Sequence, residues 1–379
     1  MSDALIRIPC VLMRGGTSKG PFFLASDLPP DPEARDSVLL AIMGSPHLLQ
    51  VDGIGGAYPQ TSKVAIISRA NDDKADVDYL FAQVSVDKAI VDTKPNCGNM
   101  LAGVGPFAIE AGLWPAREGE TSLRVRNVNT GVIVEQTVQT PAGRVTYAGN
   151  YAIPGVAGTG APIKMSFIDA AGSVTGRLLP SGKPTEEIGG LEVSLVDYAM
   201  PMMMLRAADV GLEGGETAEE IDANRTLFAR LDPMRLEAGR RMGLGDVADL
   251  VVPKIGLLSA SVQTGAIRSR YLVPHSCHKS HAATGACCVA AAAAVPGSIA
   301  AALLGGARVR SGPVLIEHPA GTMEVVIELE ATGNGLPVLR RAATVRTARR
   351  LFEGHVLCPA AAWPARRAGE PSRQAEVRI

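Results

Sequence analysis

The chain has 379 residues, with 37 Lys and Arg against 38 Asp and Glu, for a formal net charge of -1. Hydrophobic residues make up 46% and charged residues 20%, enough apolar material for sizeable cores, so disorder is excluded as the main state and the length suggests two domains. Near-neutral charge with 4% aromatics argues against a nucleic-acid binder, which needs a basic face and often stacking rings.

Six cysteines (Cys10, Cys97, Cys277, Cys287, Cys288, Cys358) in so long a chain do not make a disulfide scaffold. The first ten residues hold no long apolar stretch, so no signal peptide is expected. The most apolar segment, Gly285 to Ala307, is mostly alanine and is interrupted by Pro296, Gly297 and the pair Gly305-Gly306. It reads as a buried helix, a stop and a second helix, with no membrane span. The expectation is a soluble cytoplasmic protein.

In chain order, Ile6 to Leu12 suits a strand that runs into the turn 13–20, and Pro21 to Leu24 resumes an extended pattern. Ser37 to Met43 has helical spacing, Asp52 to Gly56 is a glycine-rich loop, and Thr61 to Ser68 reads as a strand that opens with Lys63. Val77, Tyr79 and Phe81 alternate with period two; the phase slips before Val84, which fits a bulge. Asn96-Cys97-Gly98-Asn99 opens an apolar helix through about Ala111, and 121–156 suggests a strand meander. Leu191 to Leu205 is a strand region split by Pro201, with Met202, Met203 and Met204 as core filling. Residues 216–243 look like a solvated amphipathic helix pair carrying Arg225, Arg230, Arg235, Arg240 and Arg241. Val251 to Ser261 is a further strand, and His275 to His281 leads into the alanine-rich helix. Two or three strands close the chain before an Arg-rich tail, 360–379, expected to fray. The halves rhyme: Asn96 to Asn99 in the first and Ala283-Thr284-Gly285-Ala286 in the second each turn into an apolar helix. That suggests duplicated α+β units facing each other across a cleft.

Several short strings carry chemistry. Gly15 to Gly20 is no P-loop, because Pro21 stands where the lysine belongs, and the loop with Gly53, Gly55 and Gly56 is no dinucleotide fingerprint. What remains is two turns with exposed amides, the hydroxyls of Thr17 and Ser18, and a cation (Arg14 or Lys19), suited to carboxylates as well as phosphates; ordinary tight turns explain either loop equally well. Cys97 stands at a helix start, which presents free N–H groups to an anion and favours a thiolate; a small buried cysteine is the plain alternative. Lys63 follows Ser62 at the mouth of an apolar strand, where desolvation would make it a base, although a solvated strand-end lysine is the simpler reading. His275, Cys277, His278 and His281 could form part of a zinc site, but a fourth ligand is missing, and polar contacts around a second helix start are the better reading.

Together the strings "MRGGTSKG", "DGIGGAYPQTSKVAI", "DYLFAQV", "NCGNMLAGVGPFAIEAGL" and "VRTARRLFEGHV" resemble the PrpF family, a branch of the diaminopimelate-epimerase-like fold, from about residue 6 to about 358. The resemblance implies an α+β chain of two pseudo-symmetric domains, 1–185 with 342–358 returning to it and 186–341. Each is a β-sheet wrapped around a central helix, with the active site in the cleft between them. It implies a cofactor-independent isomerase without metal, acting as a homodimer on a small unsaturated tricarboxylate. The opening string and "MGLGDVADLVVPKIGLLSA" are most similar to the branch that isomerises 4-oxalomesaconate in aromatic-acid (gallate or protocatechuate) breakdown; a sister branch isomerises 2-methylaconitate. A metal-dependent hydratase or hydrolase built on the His275–His281 cluster is the rival class.

By family pattern Lys63 and Cys97 are the acid–base pair and Ser18 lies near the substrate. The substrate-binding set is completed by Arg14, Thr17, Lys19, Gly55, Gly56, Ser62 and His278. Asn96, Gly98 and Asn99 offer one helix start to a carboxylate; Thr284, Gly285 and Ala286 offer the other. The chain departs from diaminopimelate epimerase at about Ala282, where that enzyme has a second catalytic cysteine, and at Met200-Pro201, where it has Asn-Pro.

Overall fold

The computed structural model describes residues 4–94, 96–248, 250–263, 265–273, 275–305, 311–330 and 338–363. The tail beyond Trp363 and Gly306 of the glycine pair lie outside the described residues.

Among the described residues seventeen strands form one hydrogen-bonded sheet, and their pairing repeats. Leu5–Gly15 pairs antiparallel with Ser18–Leu24, which pairs parallel with Lys63–Arg69. Val77–Val84 follows antiparallel, Gly119–Asn127 parallel, and Ile133–Thr140 and Ile163–Ile168 antiparallel. The same succession recurs from Leu191–Asp197 through Pro201–Arg206, Lys254–Ala260, Ala266–Leu272, Gly312–His318, Gly321–Glu330 and Val338–Arg346. A parallel step needs a crossover. The first crossover of each half carries an outer helix: Pro32–Met43 in one, Ala218–Ala223 and Arg225–Arg241 in the other. The second carries the inner helices, Gly98–Leu101 with Val104–Glu110, and Ala283–Ala293 with Ile299–Leu303. Ile163–Ile168 pairs with Val338–Arg346 and so joins the halves, and Ala348–Pro359 returns to pair with Leu5–Gly15. Four strands close the chain where two or three were expected.

The strand Val77–Val84 is packed on both faces, which explains the slipped phase before Val84. No bulge occurs there: Lys63 to Arg69 pairs in unbroken register with Gln83 to Val77. Val77, Tyr79 and Phe81 face the inner helices, whereas Ala82 and Val84 pack with Leu39 and Ile42 of the outer helix. The second half does the same with its methionines, Met202 and Met204 inward and Met203 outward.

Arg235 departs from the solvated face expected of its helix. It is 1% exposed, and its guanidinium donates to the carbonyls of Val247, Leu250 and Val252 and to Asp232. The loop 247–252 needed donors for those carbonyls once buried, and a helix Arg has the reach and the fork to supply them.

The helix expected from Asn96 to Ala111 is broken between Leu101 and Val104. Pro106 has no N–H to give and its ring crowds the carbonyl four residues earlier. The buried side-chain amide of Gln136 enters the gap: its Nε2 donates to the Leu101 carbonyl at 2.7 Å and its Oε1 accepts from the Gly105 N–H at 2.7 Å. One side chain thus replaces the helical bond that would join those two groups. Gln136→Leu keeps the size and orphans both; at ~1–3 kcal/mol for each buried unpaired group, urea unfolding should show a loss of about 2–6 kcal/mol. An unchanged midpoint would refute this role.

Candidate active site

Lys63 is the first residue of its strand, and the hairpin turn before it is built to fit. A Cβ on Gly20 would lie 1.8 Å from the Lys63 carbonyl oxygen, so only glycine lets Ser18–Leu24 run this close. The Lys63 Nζ donates to Gln83 Oε1 at 2.5 Å and lies over the Phe81 ring, 5.0 Å from its centroid. Gln83 is oriented in turn, its Nε2 donating to the carbonyls of Ser62 and Pro59. The half-buried amine is lowered from the ordinary lysine value, chiefly by burial and against the pull of nearby Cys97.

Cys97 is the N-cap of Gly98–Leu101 and is 9% exposed, with its carbonyl accepting from the Tyr79 hydroxyl at 3.3 Å. Gly98 brings this helix start against the second one: a Cβ here would stand 3.0 Å from the Ala283 Cβ and 3.3 Å from the Thr284 nitrogen. The outer helices, and the short inner helix Ile299–Leu303, are capped by the side chains of Asp31, Thr217, Asn224 and Ser298. The two that meet at the centre have Cys97 and Ala282 as N-caps and no side-chain cap. Their first-turn N–H groups, those of Gly98, Asn99, Thr284 and Gly285 among them, lack helical acceptors and present positive ends to the cleft. The Ala286 N–H is already used on the Ala282 carbonyl. Asn96 is 7% exposed, yet neither its Oδ1 nor its Nδ2 is hydrogen-bonded among the described residues, and Asn99 Oδ1 is likewise buried and unpaired.

His278 enters from the second half. Its Nδ1 accepts from the Ser280 N–H at 3.0 Å, which leaves the proton of the neutral ring on Nε2. Burial first, then the charges of His281, Lys63, Lys254 and Arg346, push its pKa down to about 3. Ser280 Oγ donates to Thr17 Oγ1 at 3.2 Å and ties the first hairpin to the second half. The remaining His and Cys of the 275–281 string point elsewhere. His281 Nδ1 donates to the Ala282 carbonyl and its Nε2 accepts from Ser269, while the Cys277 N–H donates to Asp222. Among the described residues no group of three His, Cys, Asp or Glu could hold a metal ion.

Other residues of the expected set are struts. Arg14 spends its guanidinium on the carbonyls of Gly16 and Thr347 and the Thr347 hydroxyl. The Ser62 hydroxyl donates to the Val84 carbonyl and accepts from Gln50. Gly55 and Gly56 make room for Gln50 and Thr61, shaping the loop that delivers Lys63. Ser18 is buried and Lys19 partly exposed on the same hairpin strand.

Sequence reasoning passed over Lys254. It opens Lys254–Ala260 as Lys63 opens Lys63–Arg69, and it is 6% exposed. Its pKa is pushed down to about 7, by burial first and then by Lys63, with Asp92 and Cys97 opposing. The signal was available: in each half a lone lysine precedes an apolar strand. Lys63, Lys254 and Arg346 all act on His278, while Asp92 and Cys97 pull the other way on Lys254.

A sequence model described as PrpF protein matches residues 5–359. The chain is 49% identical over 348 residues to a protein from Novosphingobium sp. (strain KA1) named (4E)-oxalomesaconate Delta-isomerase, covering 92% of this chain and 96% of that one. It is also 49% identical over 355 residues to the 4-oxalomesaconate tautomerase of Pseudomonas putida, covering 93% and 96%. The solved structure of a methylitaconate-delta-isomerase superimposes with a TM-score of 0.77 at 38% identity, over 98% of this chain and 100% of that one. Matched end to end by a family model and by isomerases at this identity, the chain belongs to the PrpF family and is an isomerase.

Proposed function

We propose that this isomerase acts on 4-oxalomesaconate, shifting a proton and a double bond without a cofactor. The reading is supported by the charge interaction of Cys97 with Lys63, by the two uncapped helix starts, and by the cations that act on His278. The names of the two relatives at 49% identity support the choice of acid. A small tricarboxylate supplies the negative charge that balances those cations.

The C–H between the substrate's keto group and its alkene is acidified by conjugation but still needs a placed base. Lys63 in its neutral form takes that proton. The charge spreads over the conjugated oxo-acid, where helix-start N–H groups and the His278 Nε2–H stabilise it. Cys97 delivers a proton to the far carbon of the allyl system. One proton leaves, one returns, and the double bond moves by one position.

Lys63→Met and Cys97→Ser should each lower kcat by roughly 10²–10⁴-fold while still binding substrate, and each should abolish solvent-deuterium uptake at a different carbon, read by proton NMR. Near-full turnover by Lys63→Met would end this mechanism. Assay of 4-oxalomesaconate beside 2-methylaconitate and 3-methylitaconate, followed by ultraviolet absorbance, decides the substrate.

The pH profile follows from the burial of Lys63. A base acts when unprotonated, so kcat/KM rises with pH through the Lys63 pKa, and burial lowers that pKa. The rise should level off below the ordinary lysine range near ~10.4. An acid limb still climbing past that value would contradict a desolvated base.

A further inference from the structure

Lys254 has no role in the proton transfer just described, yet the fold places it with care. The duplication maps the N-cap Cys97 onto Ala282 and Lys63 onto Lys254, so the second half has kept the amine and not the thiol. The loop that delivers it, 247–252, is held by three carbonyls on the buried guanidinium of Arg235.

The groups whose charges act on Lys254 are Lys63, Asp92, Arg235 and Cys97, and Lys254 acts in turn on His278. None of them forms a hydrogen bond or ion pair with it, and neither does any other described residue. Arg235 pairs with Asp232 at 3.0 Å, and Asp92 accepts from the Lys94 N–H. A buried amine beside a second amine and without a carboxylate partner is an expensive arrangement for the empty protein. It becomes favourable when a ligand brings the carboxylate. Unpaired Asn96, at the neighbouring helix start, points to the same conclusion.

We propose that Lys254 is a substrate-contacting residue of this cleft, its ammonium taking one carboxylate of the unsaturated polycarboxylate while Lys63 handles the proton. The inference rests on the reading that the cleft binds a polycarboxylate, and it divides two equivalent lysines into a base and an anion holder. Repulsion between the two amines is mutual, so the empty cleft resists charging both; a bound carboxylate removes that penalty and Lys254 takes up a proton.

The test uses tricarballylate, a saturated tricarboxylate with no allylic proton to lose, and the full chain. Lys254→Met should weaken its binding by roughly 10- to 100-fold in calorimetry, and Lys254→Arg should restore most of the affinity. Lys254 lies near 7, so at about pH 8 the wild-type protein should take up on the order of one more proton per ligand than Lys254→Arg does. The uptake is read from buffers of different ionisation enthalpy. Wild-type affinity in Lys254→Met, or equal proton uptake in wild type and Lys254→Arg, would overturn the proposal. Binding that depends on Lys254 in a protein that turns over none of the unsaturated acids would sink the isomerase reading for those acids and leave this inference standing. Turnover with binding indifferent to Lys254 would do the reverse.

Discussion

The near-contact between Gly98 and the start of Ala283–Ala293 is the constraint on which the site depends. With 3.0 Å from an added Cβ to the Ala283 Cβ, no larger side chain fits without parting the halves. The two helix starts meet there, each with first-turn N–H groups that lack helical acceptors. Each half wraps around its own inner helix, and the paired strands Ile163–Ile168 and Val338–Arg346 close the halves onto each other.

The stabilising features and the unsatisfied ones are largely separated in space. The outer helices are capped, charged side chains form surface pairs, and the kink at Pro106 is repaired by Gln136. Where the inner helices meet, their starts are uncapped, the amide of Asn96 is unpaired, and Lys63, Lys254 and Arg346 all act on His278. Buried unpaired polar atoms also occur at Glu186, Ser259 and Arg270, so such features are concentrated at the two helix starts without being confined to them. His278 fits the same arrangement. Held neutral by burial and by its cationic neighbours, it can donate through Nε2 without adding to the charge.

Much of the fold was legible before any coordinates. Ile6 to Leu12, Ser37 to Met43, the two strands around Pro201 and the alanine-rich helix all stand where their patterns place them. The failures come from tertiary packing. The apparent bulge before Val84 is a change from inner to outer core, and Arg235 leaves the solvated face because a neighbouring loop needed donors. At the site, the string around Cys97 carried a local signal, since a polar turn into an apolar helix is visible in one stretch. Arg14 and Ser62 lie in equally suggestive strings but spend their polar atoms on the backbone, and no spacing rule tells a strut from a ligand. Lys254 carried no motif; only its equivalence to Lys63 in the strand pairing reveals it.

By itself, then, the order of amino acids determined the alternation of strands and apolar helices, the duplication, and a thiol poised before a helix, because those depend on periodicity and on neighbours along the chain. Tertiary structure decided that Lys63, Cys97, Lys254 and His278 lie near enough to act on one another's charge, and that Arg14 and Ser62 spend their polar atoms on the backbone. Charge interactions depend on distance and burial, and both are set by how the sheet closes around its two helices.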